Sequence, residues 1–270
     1  MAGWPVLAFD IETIPDVGGL RVLRGSDAAA SDEQVLAQEL AQRAAEGRSE
    51  FLPLHLQRVV TISCVYRGAD GLRVHSFADR AGPGGPSQEG RIVQQFFATI
   101  DKRVPQLVSW NGGGFDLPVL HYRGLMHRVV ASKYWDFGED DREFRFNNYI
   151  SRYHHRHLDL MDLLALYQPR ANAPLDAMAK LCGLPGKLGM DGSAVHAAWL
   201  AGRIDDIRRY CETDVMNTYL LYCRYQLMRG GLTAAEHAQE EAMVRAMLTA
   251  DPEPHWRQYL EAWGEPAHGR

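Results

Sequence analysis

Cysteine is scarce and unpaired in this chain: four among 270 residues (Cys64, Cys182, Cys211 and Cys223), none in a CxxC spacing. Cys211 and Cys223 fall on one predicted helix, too far apart along it to be bridged. Reduced thiols in a cytoplasmic protein are expected, and a disulfide scaffold is excluded. Long apolar runs are missing as well, and the start MAGWPVLAFD has no basic segment leading into an extended apolar one. Neither a membrane span nor a signal peptide is expected. The third absence is a basic excess: 29 Lys and Arg against 34 Asp and Glu leave a net charge of −5. That argues against a non-specific nucleic-acid coat, yet leaves room for an enzyme whose acids gather around metal ions.

What is present suffices for a globular fold. Apolar residues make up 46%, enough to bury a substantial core, and charged residues 23%, an ordinary share. No internal repeat or low-complexity segment stands out. The stretch VLAFDIET reads as a strand over Val6–Thr13, after which Pro15 and Gly18-Gly19 break the pattern. Residues 31–46 read as a helix with Ser31 and Gln34 forming a capping box. A β-hairpin turns at 68–71, a Gly/Pro-rich surface loop covers 81–90, and a helix spans 89–103. A short strand QLVSW runs up to Asn111, and a helix covers 116–128. Beyond 160 helices dominate, near 160–167, 174–182 and 192–200, with a long one over Ile204–Met228 and two more after Gly230-Gly231. Strands first, with helices interleaved and then dominant, indicate a mixed α/β fold with one sheet.

Asp10 and Glu12 stand two apart in the first strand, so their side chains share a face. Two adjacent carboxylates at the edge of a core repel and are costly to desolvate, and no Lys or Arg lies nearby in sequence to offset them. Further acids can join them. Asp116 follows the turn at the end of the strand QLVSW, and Tyr210 and Asp214 are four apart on one helical face, close to the apolar stripe of Ile204, Ile207, Cys211, Val215 and Tyr222. Alone, each piece has a plain structural reading: a salt-bridged pair, a helix N-cap, a tyrosine at the core rim. Together, on strand, strand end and helix, they make a metal site the better account.

FDIET, then Asn111 with Phe115-Asp116, then Y-x-x-x-D at 210–214 resemble the three motifs of DEDD 3′-to-5′ exonucleases, and the tyrosine resembles the DEDDy branch. The chain looks most like the stand-alone predicted exonucleases related to the proofreading domain of family-B DNA polymerases; HLDLMDLL and GLPGKLGMDGS are also similar to that group. The resemblance implies a ribonuclease H-like fold, a mixed central sheet flanked by helices. It implies one exonuclease domain over 1–270, with core motifs in 5–229, a helical insert about 26–48 and a C-terminal helical extension at 231–270. It further implies cleavage with two Mg²⁺ or Mn²⁺ ions, for which carboxylate oxygens are suitable hard ligands. Asp10 would bridge both ions, Glu12 and Asp214 would complete one, Asp116 would hold the other, and Tyr210 would orient the attacking water. Nucleoside 5′-monophosphates would leave the 3′ end of nucleic acid, with single-stranded DNA favoured. An exoribonuclease, and a non-catalytic nucleic-acid-binding protein keeping the fold, are the alternatives.

Other signals are weaker. Asn111 and Phe115 resemble positions near the terminal nucleotide, although a turn-forming Asn and a core Phe would fit as well. Glycines 112–114 lack phosphate-loop spacing and give the backbone room for a nucleic-acid end to approach. Lys187 resembles a lysine aimed at the scissile phosphate, set against the bland reading of an exposed loop residue. His154, His155 and His157 hint at zinc but have no Cys or further His beside them to complete a tetrahedral set. Residues 121–157 hold seven Lys and Arg against five acids, with aromatics interleaved, a composition that suits single-stranded nucleic acid. Asp159 and Asp162 read as helix-capping residues.

Overall fold

The computed structural model describes residues 5–25 and 29–264. Residues 1–4, 26–28 of the expected insert and 265–270 of the expected extension lie outside the described residues. In chain order the elements are β1 (Val6–Pro15), α1 (Val17–Arg24), α2 (Asp32–Ala45), β2 (Gln57–Gly68), β3 (Gly71–Ala78), α3 (Glu89–Arg103), β4 (Gln106–Ser109) and α4 (Asp116–His127). There follow β5 (His157–Asp159), α5 (Leu160–Leu164), α6 (Leu175–Leu181), α7 (Val195–Leu200), α8 (Ile204–Met228), α9 (Ala234–Ala250) and α10 (Pro254–Trp263).

The strands form one sheet in the order β3-β2-β1-β4-β5. β1 runs antiparallel to β2 and parallel to β4, with β2–β3 antiparallel and β4–β5 parallel. This is the expected α/β fold with a mixed central sheet flanked by helices. The alternation along β1 sorts its residues between two layers. Leu7, Phe9 and Ile11 pack with Ile92, Phe96 and Leu120 of α3 and α4. Val6 and Ala8 pack instead with Val215, Tyr219 and Tyr222 of α8. Asp10 and Glu12 continue the second set, so the period of the strand turns them toward α8.

Local signals account for most elements. Ser31 caps α2, accepting from the Gln34 N–H while the Gln34 side chain accepts from the Ser31 N–H, as the capping box requires. Thr233 and Glu236 repeat the device at the start of α9. Two elements depart from the sequence reading. Gly18 and Gly19 were expected to leave the chain irregular, yet they lie in α1, because the Asp16 carboxylate accepts from the Gly19 N–H at 2.9 Å and caps a helix there. The expected single apolar stripe on α8 is also corrected. Residues from Tyr210 to Cys223 are buried on every face, with the sheet on one side and α6, α9 and α10 on the other. No helix among the described residues is long and apolar enough to cross a membrane. All four cysteines are free thiols.

Candidate active site

The four motif carboxylates come from three elements and face one another. Asp10 and Glu12 sit mid-way along β1, beyond the end of its pairing with β4 at Ala8 and just before the pairing with β2 slips between Glu12 and Thr13. Such a bulge re-aims side chains beside a site. Asp116 opens α4, and its Oδ1 accepts from the backbone N–H of Ile11, the residue between the β1 pair, at 3.2 Å. The cap expected of Asp116 is thus directed across to β1 instead of serving only its own helix. Asp214 and Tyr210 project from α8 toward the same place, both less than 5% exposed.

Electrostatics report the convergence independently of any one distance. Burial raises the Asp10 carboxyl well above its ordinary value, and the charges of Asp116 and Asp214 raise it further. Burial likewise raises Glu12, with Asp10 and Asp214 adding to it. Burial pushes Asp116 up to about 7 and Asp214 up to about 6, the latter against the pull of Lys187. Among these four carboxylates stands one cation, Lys187, whose Nζ is 3.5 Å from Asp214 Oδ2 and donates to the Tyr210 hydroxyl at 2.6 Å. Lys187 is therefore a member of the site, and the bland reading of a solvated loop lysine is corrected. Burial, then the Asp214 charge, raise the Tyr210 phenol, so it stays protonated.

The loop that carries Lys187 is itself anchored. The Lys187 N–H donates to Asp176 at 2.8 Å, and Asn217 of α8 donates to the Gly186 carbonyl at 2.9 Å. The Tyr259 hydroxyl of α10 donates to the Asn217 carbonyl oxygen at 2.9 Å, so the C-terminal helix braces the loop. Sequence reasoning missed Asn217 and Tyr259; Asn217 sits one turn beyond Thr213, but nothing in the sequence ties it to Gly186. Cys211 was read only as part of an apolar stripe. Its Sγ lies 3.4 Å from both the carbonyl and the carboxylate of Asp10, and it forms with Asp10 and Glu12 a group close enough to hold an ion. Burial raises that thiol well above its ordinary value, so without a metal it is a protonated donor to Asp10.

The donor set suits hard divalent cations. The ligand atoms on offer are carboxylate oxygens, their charge exceeds what Lys187 can offset, and the buried Asp214 Oδ1 has no hydrogen-bond partner. A cleft of about 790 Å³ opens beside Glu12, lined by Asn111 and Phe115 on one side and by Leu36, Leu40 and Phe51 on the other. The rings of Phe51 and Phe115 lie 5.8 Å apart. Phe51 is 56% exposed and was absent from the sequence reading, since nothing in its surroundings marks it. Asn111 takes a left-handed backbone (φ 67°) and its N–H donates to Asp159 at 2.9 Å, as a turn-forming residue does, while it also lines the cleft.

The glycines after Asn111 also meet a packing need. A Cβ on Gly112 would sit 2.3 Å from Ser109 Oγ, and one on Gly114 2.4 Å from Asn111 Oδ1. Internal packing of the turn requires glycine at 112, whereas at 114 the contact is with the end of the Asn111 side chain. Asp159 caps α5 and also accepts from the Gly113 N–H at 2.8 Å. The zinc hint fails: His157 is buried against Ser109 Oγ at 2.8 Å, His154 accepts from the Asn148 N–H, and the histidines form no metal group among the described residues. Much of the basic, aromatic stretch is structural too. Arg123 is buried between Asp16 and Glu89, and Arg156 stacks on Phe144 at 4.2 Å within the core.

A search of the curated proteins returns no match. Among solved structures, E. coli Exonuclease I in complex with a 5cy-dT13 oligonucleotide matches with 16% identity and a TM-score of 0.34, over 84% of this chain and 44% of that one. The chain thus spans less than half the length of that neighbour. The family described as predicted 3′-5′ exonucleases related to the exonuclease domain of PolB matches residues 49–263, a span that begins after Asp10 and Glu12. With most of its 270 residues inside that match, the chain belongs to the predicted 3′-to-5′ exonucleases related to the exonuclease domain of PolB.

Proposed function

We propose that the protein is a DEDDy-type, metal-dependent 3′-to-5′ exonuclease that releases nucleoside 5′-monophosphates, with single-stranded DNA as its preferred substrate. The observation that carries this reading is the meeting of Asp10, Glu12, Asp116 and Asp214 beside an open cleft, with the Tyr210 hydroxyl at their edge. Asp10, Glu12, Asp116 and Asp214 would hold two Mg²⁺ or Mn²⁺ ions. Those ions would supply Lewis acidity for the attacking water and for the departing 3′-oxygen. Tyr210, still carrying its proton, orients the water, and Lys187 fixes the Tyr210 hydroxyl while offsetting charge at Asp214. Water attacks phosphorus, the bond to the 3′-oxygen breaks, and the shortened strand keeps a 3′-hydroxyl. Asn111 and Phe115 receive the terminal nucleotide in the cleft. The whole chain serves as one exonuclease unit, its insert and C-terminal extension included, and its four free thiols favour the cytoplasm.

The test is digestion of 5′-labelled single- and double-stranded DNA and RNA with Mg²⁺ or Mn²⁺, beside Asp10→Ala and Asp214→Ala. A one-nucleotide ladder from single-stranded DNA, lost in both variants, is the expected result. Faster trimming of RNA would move the substrate to RNA. Equal cleavage by parent and variants would remove the assignment.

A further inference from the structure

A second surface lies across the Asn111–Gly114 turn from the cleft. Asn111 and Gly114 line the cleft, whereas Gly113 lines a shallow depression on the other side with Tyr153, His155, Asp159 and Tyr167. Asp159 ties the two together, accepting from the N–H groups of both Asn111 and Gly113. Tyr153 is 71% exposed, and its ring meets that of Tyr167 edge-on at 5.4 Å. The Arg152 guanidinium lies 4.7 Å over the Tyr167 ring and is held there by Asp162 at 2.5 Å. The Tyr167 hydroxyl donates to the Arg152 carbonyl at 3.3 Å, closing the arrangement.

The backbone beneath is strained. Leu166 and Tyr167 take left-handed conformations in succession (φ 50° and 59°), the only adjacent non-glycine pair to do so among the described residues. Such conformations persist where the surroundings impose them, and they gather at sites that bind. Here the strained pair accompanies an aromatic cluster at the surface, whereas Tyr134, Phe144 and Tyr149 of the same stretch are buried in the core.

We propose that Arg152, Tyr153 and Tyr167 form a stacking platform for single-stranded nucleic acid, taking unpaired bases of the strand beyond the nucleotide held in the cleft. The chemistry is that of a planar guanidinium and the exposed Tyr153 ring, backed by half-buried Tyr167, which stack on any base without reading sequence. A strand leaving the cleft over the Asn111–Gly114 turn meets this surface next. The inference rests on the nuclease reading for the identity of the strand, but not on the carboxylates for its geometry.

The test uses the full chain in EDTA, with 5′-fluorescein-labelled oligo-dT of three and of twelve nucleotides, read by fluorescence anisotropy. Parent, Tyr153→Ala and Tyr153→Trp are compared; an exposed ring at position 153 makes both substitutions compatible with folding. Tyr153→Ala should lower the preference for the 12-mer over the trimer by about tenfold, the scale of one lost base–aromatic stack, and Tyr153→Trp should restore it. In Mn²⁺ the same variant should raise KM for the 12-mer far more than it alters kcat. A preference within twofold of the parent, or equal weakening on both lengths, overturns the platform. If no oligonucleotide is hydrolysed while the length preference still depends on residue 153, the nuclease reading fails and the platform stands.

Discussion

Titrating the metal-free protein from about pH 4 to 8 sets its buried carboxylates against the fold. Burial and the nearby Asp159 charge hold the Asp116 proton to about 7, against an ordinary 3.8, and burial holds that of Asp214 to about 6. A group that binds its proton more tightly when folded stabilises the fold fully below its unfolded pKa. That contribution disappears as the pH rises through the folded pKa. Both aspartates therefore act in the same direction, each removing stability between about pH 4 and 7, whereas half-buried His121 and buried His157, both pulled down to about 4, act the other way. For Asp116 alone the change is roughly 4 kcal/mol. At about 2–4 °C per kcal/mol for a chain of this size, the Asp116 contribution to the melting temperature is on the order of 10 °C, read as the difference between parent and Asp116→Asn.

The assay is calorimetric melting across that range in EDTA and in Mn²⁺, for the parent and for Asp116→Asn. The isosteric amide cannot ionise, so the variant should lose the Asp116 share of the fall and keep that of the other carboxylates. Mn²⁺ should raise the melting temperature much more at about pH 8 than at about pH 5, because ligands must give up protons to bind it. Parallel curves for parent and Asp116→Asn in EDTA would refute the placement of that carboxylate in a charge-dense, poorly solvated site.

Three further outcomes follow from packing and hydrogen bonding. Arg123→Ala leaves Glu89, 1% exposed, without its 2.5 Å partner and should cost about 3–5 kcal/mol by urea unfolding. A loss under about 1 kcal/mol would show that water replaces the guanidinium. Asn217→Ala frees the Gly186 carbonyl and orphans the Tyr259 hydroxyl, costing about 1–3 kcal/mol. Because the loop bearing Lys187 loosens, kcat should drop with little change in KM, and Asn217→Asp, which keeps the acceptor for Tyr259 but has no donor for the Gly186 carbonyl, should not recover it. Gly112→Ala drives a methyl onto Ser109 Oγ and should destabilise by about 1–3 kcal/mol, seen as a lower urea midpoint; a neutral result would mean the turn relaxes freely.

Periodicity and end signals made much of this protein legible before any coordinates. The two-residue repeat of β1 puts Asp10 and Glu12 on one face, the four-residue spacing on α8 joins Tyr210 to Asp214, and Ser31 with Gln34 starts α2. All three are local, arising from backbone geometry that acts over a few residues. Even there, local rules misjudged α1, where the Asp16 cap outweighs the cost of Gly18 and Gly19.

Tertiary structure alone decided the rest. Whether Lys187 was a solvated loop residue or the one cation among four acids depended on Asn217, Asp176 and Tyr259 holding its loop in place. Phe51 faces Phe115, Cys211 meets Asp10, and Arg123 disappears between Asp16 and Glu89, each across tens to hundreds of residues. Sequence determines what chemistry each side chain can offer and which way it points from its own helix or strand. Which of those groups share a low-dielectric pocket follows only when the sheet and α8 close on each other, since contact and desolvation depend on distance in space and not along the chain.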